Sequence, residues 1–295
     1  MRCPLFVELC AGTAALSLRL HHPRAIPPVS RMGAKTGYAD VILRCMGLRP
    51  GQGSADGTRY LWCEPDKGVR LLLHALTSRS LALAAAEVIR GWATSGESPR
   101  ALWERLRAEG PVICRPVDAR EVARWSYIQT ANAAIVVDPV TWKNTGNGGA
   151  TFDARTTGRN GRNPYRVIQK LLVAPTLSAT ITDDARQVDP PQLPPGVVVY
   201  IDPPYENCTG YSHVFPRGAW LPVVRRWVEA GALVVVSEAE PIPELMAEGW
   251  HAVQITGERK GQRRTFSRQQ REWLTMSRAP AWRPSVQVSL FNAQG

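Results

Sequence analysis

The apolar run Gly196-Val197-Val198-Val199-Tyr200-Ile201 stops abruptly at Asp202-Pro203-Pro204-Tyr205. β-branched and aromatic residues in so short a run read as a buried strand. The two prolines fix their own φ angles and force the residue before them into an extended conformation, so the strand ends in a rigid corner. An acid, a carbonyl and an aromatic ring are then held together at the carboxyl edge of a sheet. In open α/β sheets that edge is where ligands bind.

The chemistry of this corner suits an exocyclic amino group on a nucleobase. Such an amine is a poor nucleophile because its lone pair is delocalised into the ring. Asp202 can accept one amino hydrogen and the Pro203 carbonyl the other, drawing the nitrogen towards sp³ geometry, while Tyr205 stacks on the base. At Asp202, Pro203, Pro204 and Tyr205 the chain resembles the Dam-like DNA adenine-N6 methyltransferases, amino-methyltransferases that use S-adenosylmethionine (SAM). The resemblance implies a class I SAM-dependent fold, an α/β Rossmann-like, mostly parallel sheet flanked by helices. It also implies a base flipped out of double-stranded DNA and direct methyl transfer without a covalent enzyme intermediate.

The amino-terminal segment supplies a second expectation. Leu5 to Leu9 reads as a strand, Cys10-Ala11-Gly12-Thr13 as a small-residue turn, and Ala14 to Leu20 as a helix. This is how a dinucleotide-type α/β unit opens, with small residues where a ligand approaches the backbone. By resemblance, Phe6, Glu8, Cys10, Ala11 and Gly12 belong to the SAM-binding motif. Leu9 stands where the family often has proline, and Ala14 where a second glycine is usual. Glu8 interrupts the apolar stretch, and the Ser17-Leu18-Arg19 end is unlike a cleavage region, so a secretory leader is not the reading.

Val29 to Lys35 resembles a family segment that helps build the SAM and base pocket and assigns Lys35 to it, although here the segment follows the first strand instead of preceding it. Arg59 to Glu64 reads as a second strand ending in an acid. By position Glu64 matches the acid that accepts hydrogen bonds from the cofactor's ribose hydroxyls, with Asp66 as a competitor that can equally be a helix cap. Ser178 to Ala185 reads as a further strand, and Asp184 aligns with a family acid beside the cofactor's adenine. Asp118-Ala119-Arg120 is an upstream look-alike of Asp184-Ala185-Arg186.

Between these pieces the strand–helix rhythm breaks. Residues 1–80 read as the first part of a SAM-binding catalytic domain, 81–175 as an inserted, mostly helical and loop target-recognition region, 176–279 as the second part of the catalytic domain, and 280–295 as a tail. Helices are expected over 82–92, 99–108 and 119–128. The stretch from Thr141 to Arg162 is rich in glycine, asparagine and arginine and too poor in apolar residues to form a core. Six basic residues face one acid, Asp153, between Lys143 and Lys170. Lys143, Asn144, Arg155, Arg159 and Arg162 are therefore candidate DNA contacts, and Arg263 and Arg264 in a second basic loop are others. Tyr211 and Phe215 are each candidates either to hold a flipped base or to pack in the core. Strands over 250–256 and 272–277 are expected to close the sheet.

The formal charge of +11 favours a polyanionic partner. Six scattered cysteines without a C-x-x-C pair indicate neither a zinc site nor a disulfide framework. No metal is expected, and no apolar run is long enough to span a membrane. A cytoplasmic protein, monomeric or weakly dimeric, is the expectation. Cytosine-N4 transfer, an RNA substrate, and a catalytically silent DNA-binding relative stay open as alternatives.

Overall fold

The computed structural model describes residues 1–29, 34–132, 138–144, 148–149, 152, 165–190, 192–204, 213–255 and 272–284. Seven strands form one sheet: β1 (Leu5–Glu8), β2 (Arg59–Cys63), β3 (Ala179–Thr182), β4 (Val198–Ile201), β5 (Leu233–Glu238), β6 (His251–Ile255) and β7 (Glu272–Met276). Their spatial order is β3-β2-β1-β4-β5-β7-β6. The first five strands in that order pair in parallel, and β7 runs antiparallel to both its neighbours. The order reverses between β1 and β4, as in a doubly wound dinucleotide-type sheet, so a crevice opens at the carboxyl ends of those strands.

The central strands are buried on both faces, which is why their sequences are continuous apolar runs instead of alternating ones. Phe6, Tyr60, Trp62, Val198, Tyr200 and Val235 point to one face. Val7, Leu9, Val199, Ile201, Val234 and Val236 point to the other. On the second face lie α9 (Arg217–Glu229), through Trp220, Val224 and Trp227, and α10 (Pro243–Ala247), through Leu245. The first face carries α1 (Ala15–His21), α2 (Ala39–Cys45) and α4 (Lys67–Thr77), with the short α3 (Gln52–Asp56) packed against α1.

The helices expected between residues 81 and 175 are present as α5 (Arg79–Thr94), α6 (Pro99–Ala108), α7 (Ala119–Ala131) and an additional α8 (Arg166–Val173). Their starts are set by local chemistry. Ser78, Ser98 and Asp118 accept hydrogen bonds from Leu81, Ala101 and Glu121 N–H groups, and Pro99 occupies the first turn of α6. The look-alike Asp118 is thus a helix cap. These helices share the core of the first face: Ile89, Leu102, Trp103, Val122 and Trp125 belong to the same buried cluster as Phe6 and Trp62. Gly68 in α4 makes the tightest contact possible, because a Cβ there would lie 1.9 Å from Trp125 Nε1. Buried Arg124 fastens α7 to the chain before it, donating to Leu106 O at 2.8 Å and pairing with Glu121 at 3.0 Å. Among the described residues no single helix is long and apolar enough to cross a membrane.

Candidate functional site

The crevice at the carboxyl ends of β1, β2, β3 and β4 is a cleft of ≈ 520 Å³. Cys10, Ala11, Gly12, Lys35, Glu64, Asp184, Asp202 and Pro204 all line it, as do Glu8 and Phe215. Most of these residues, up to nearly 200 positions apart in the chain, are brought together here because they end a strand, or closely follow one, in a sheet whose central strands are parallel.

Gly12 adopts a left-handed φ of 49°. That conformation turns its N–H towards the end of β2, where it donates to Glu64 Oε2 at 2.8 Å, while Ala11 N–H donates to Cys63 O at 3.0 Å. Glu64 Oε1 accepts from Asp66 N–H at 2.9 Å. The acid that ends β2 therefore orders both rims of the cleft. Arg70 reaches back from α4 to donate to the Glu64 and Pro65 carbonyls at 2.8 and 2.9 Å. Asp66 takes the capping role, accepting from Gly68 and Val69 N–H at 2.8 and 3.1 Å.

Glu8 is buried and lines the cleft, yet its carboxylate is turned to α1. Oε1 accepts from Ser17 N–H at 2.7 Å and from Ser17 Oγ at 2.8 Å. Ala14 stands at the amino end of α1 without a side-chain oxygen, so Glu8 supplies the cap from the neighbouring strand. Burial pushes the Glu8 carboxyl up to about 7, against the pull of the Ser17 hydrogen bonds. Phe6 is a correction to the sequence reading. It is fully buried in the core and is not part of the cleft wall. It points to the same sheet face as Glu8, two residues further from the edge, roughly 7 Å down the strand.

At the end of β4, Asp202 meets Lys35. Nζ lies 2.7 and 2.8 Å from the two carboxylate oxygens, and the side chains are only 8% and 17% exposed. Lys35 opens a short 3₁₀ turn, Lys35–Gly37, and its ammonium reaches the end of β4. Burial pushes the Asp202 carboxyl up to about 6. Lys35 opposes that shift, and Glu272 and Glu238 add to it. Pro203 is buried and Pro204 forms part of the wall.

Asp184 sits at the cleft after β3. It accepts from Arg186 N–H at 2.9 Å and pairs with the Arg186 guanidinium at 2.9 Å, which holds its carboxyl below the usual range. Phe215 both lines the cleft and packs on the core of the second face. Burial, then Glu64 and Asp202, push the Cys10 thiol well up.

Tyr205, Tyr211, Arg155, Arg159, Arg162, Arg263 and Arg264 lie outside the described residues. The backbones of Lys143 and Asn144 pair antiparallel with Gly149 and Gly148. Sequence reasoning overlooked Thr13, Arg70 and Glu272. Thr13 is buried, lines the cleft, and its hydroxyl has no hydrogen-bond partner among the described residues. Its signal was available, since it stands in the small-residue turn. Comparison of the sequence with family models and with curated proteins finds no match to either.

Proposed function

We propose that this chain transfers the methyl group of SAM to the exocyclic N6 of an adenine flipped out of duplex DNA. The observation that carries the reading is the meeting, around one cleft, of the Gly12 turn, the acid ending β2 and the Asp202-Pro203-Pro204 corner, with Lys35 closed on Asp202. The sheet order, with its reversal between β1 and β4, supports the class I SAM-dependent fold that the motif implies.

The donor set fits SAM. The cleft volume lies in the range of cofactor sites. Glu64 stands at the cleft rim with its carboxylate held by the Gly12 and Asp66 N–H groups, and a carboxylate is the acceptor type that ribose hydroxyls need. The Thr13 hydroxyl, buried without a partner among the described residues, is a group that a polar ligand atom would satisfy. Among the described residues nothing lies within 4 Å of a Cβ built on Gly12, so the turn leaves room for close approach. When bound, SAM supplies a methyl group on a cationic sulfur, which needs no covalent help from the protein.

The chain's own residues then act on the amine. The Asp202 carboxylate, paired with Lys35, accepts one amino hydrogen, and the Pro203 carbonyl accepts the other. Lys35 fixes the carboxylate in place. The exposed residues His213 and Val214, with Phe215, border the cleft where a flipped base would enter. Tyr205 keeps its stacking role and the basic residues of 143–162 and 256–271 their phosphate role as parts of this proposal. Flipping costs a few kcal/mol of unstacking, offset by pocket and phosphate contacts.

The test is transfer of labelled methyl from SAM to mixed-sequence duplex DNA, followed by nucleoside mass spectrometry. N6-methyladenosine is expected. Asp202→Asn should cut transfer by about 10²-fold or more while leaving SAM binding in calorimetry nearly unchanged. N4-methylcytosine would move the target base, and product on RNA alone would move the substrate. A folded protein that binds DNA but neither binds SAM nor methylates anything would overturn the enzymatic reading.

A further inference from the structure

The Lys35 ammonium serves two carboxylates. Besides Asp202 it approaches Glu272 Oε1 at 3.6 Å. Glu272 opens β7, and because β7 is antiparallel its first residue sits at the carboxyl edge of the parallel strands, where their ligands bind. It is buried, and the Ser237 hydroxyl of β5 donates to the same Oε1 that faces Lys35. An acid with this placement has no packing reason to be inside a sheet, since burying a carboxylate costs several kcal/mol unless it is paired.

Building on the methyltransfer reading, we propose that Glu272 is a positioning residue that acts through Lys35 on Asp202. Lysine carries a flexible four-carbon stem and a point charge, so one carboxylate alone fixes neither its place nor how tightly it holds its partner. Glu272 gives the ammonium a second carboxylate to attract it besides Asp202. That pull limits how far Lys35 withdraws electron density from the Asp202 oxygens, and it leaves Asp202 the stronger acceptor for the amino hydrogens of the base. The other groups facing Asp202 are Glu238 on β5, Glu8 on β1, Cys10 in the first turn and Tyr200 on β4. None of these four has an ion pair to Lys35 among the described residues.

The experiment compares wild type with Glu272→Gln, which keeps the volume and can still accept from Ser237. Two readouts are taken. One is the pH profile of kcat with KM for SAM. The other is the titration midpoint of Asp202 by ¹³C-carboxyl NMR, its signal assigned from its loss in Asp202→Asn. In Glu272→Gln the Asp202 midpoint and the acid limb of kcat should both move to lower pH. kcat near neutrality should fall about tenfold, the loss of one charge-assisted interaction, with KM for SAM unchanged. Glu272→Asp should recover part of the rate, and Lys35→Met should move the midpoint upwards. An Asp202 midpoint that does not move in Glu272→Gln overturns the assignment, and so does a moved midpoint with unaltered kcat. Should wild type itself transfer no methyl, that blank falls on the proposed function, and the midpoint alone decides whether Glu272 acts on Asp202.

Discussion

Two residues at the mouth of β1 show how a buried polar group in the cleft reports its purpose. Glu8 has a carboxyl pushed up to about 7 by burial, above the ordinary value of 4.5. The folded chain therefore holds a proton that the unfolded chain releases, so this contribution to stability is complete below about pH 4.5 and is lost as pH rises through about 7. Glu8→Gln mimics the protonated acid and removes the titration. It should match wild type in denaturant melts near pH 4 and exceed it by on the order of 2 kcal/mol at pH 8. A difference between the two proteins that stays constant with pH would show that Glu8 is not the titrating group. Thr13 is the opposite case, a hydroxyl without a hydrogen-bond partner among the described residues. Thr13→Val keeps the shape, and SAM affinity by calorimetry should fall about tenfold with no drop in melting temperature. Unchanged affinity would mean the hydroxyl does not touch the ligand.

Between elements, one glycine decides whether the helices that follow α4 can seat on the sheet's first face. Trp125 of α7 lies where a Gly68 side chain would be. Gly68→Ala should destabilise the fold by about 1–3 kcal/mol through overpacking. Trp125→Leu in the same chain should give back part of that loss, because the clash is with the indole edge. Denaturant melts of the two single variants and the double variant provide the cycle, and strict additivity would show that the two residues do not meet. The pairing of α4 with α7 also places α4 firmly enough for its first turn to serve the cleft. Asp66 caps that turn, and Arg70 one turn later braces the Glu64 and Pro65 carbonyls.

At the scale of the molecule, sheet topology turns scattered motifs into one site. Glu8, Glu64, Asp184 and Asp202 each stand at or just past the end of a strand that runs in the same direction, so all four reach one edge. The strands themselves were legible in the chain. Apolar runs such as Val197 to Ile201 and Leu233 to Val236 have no other stable place than a doubly covered sheet. The starts of α6 and α7 were equally legible, because a serine or aspartate before each satisfies its first N–H groups locally, whereas α5 begins three residues before its expected start, at the Ser78 cap. Asp202 with its two prolines and Gly12 with its small neighbours declared themselves too, since local backbone geometry restricts which residues can stand there. Other features depended on partners distant in sequence. Phe6 and Glu8 share a strand face, and only the position of the sheet edge separates a core residue from one in the cleft wall. Glu64 and Asp66 differ by two positions, and the hydrogen bonds of α4 and Gly12 decide which is the cap and which ties the rims. Lys35 reaches Asp202 across 167 residues. Glu272 reaches Lys35 only because β7 runs against its neighbours. A sequence determines by itself what each short stretch can satisfy locally; which buried charges meet is decided by strand direction and order, because those set the distances between groups the chain does not hold close.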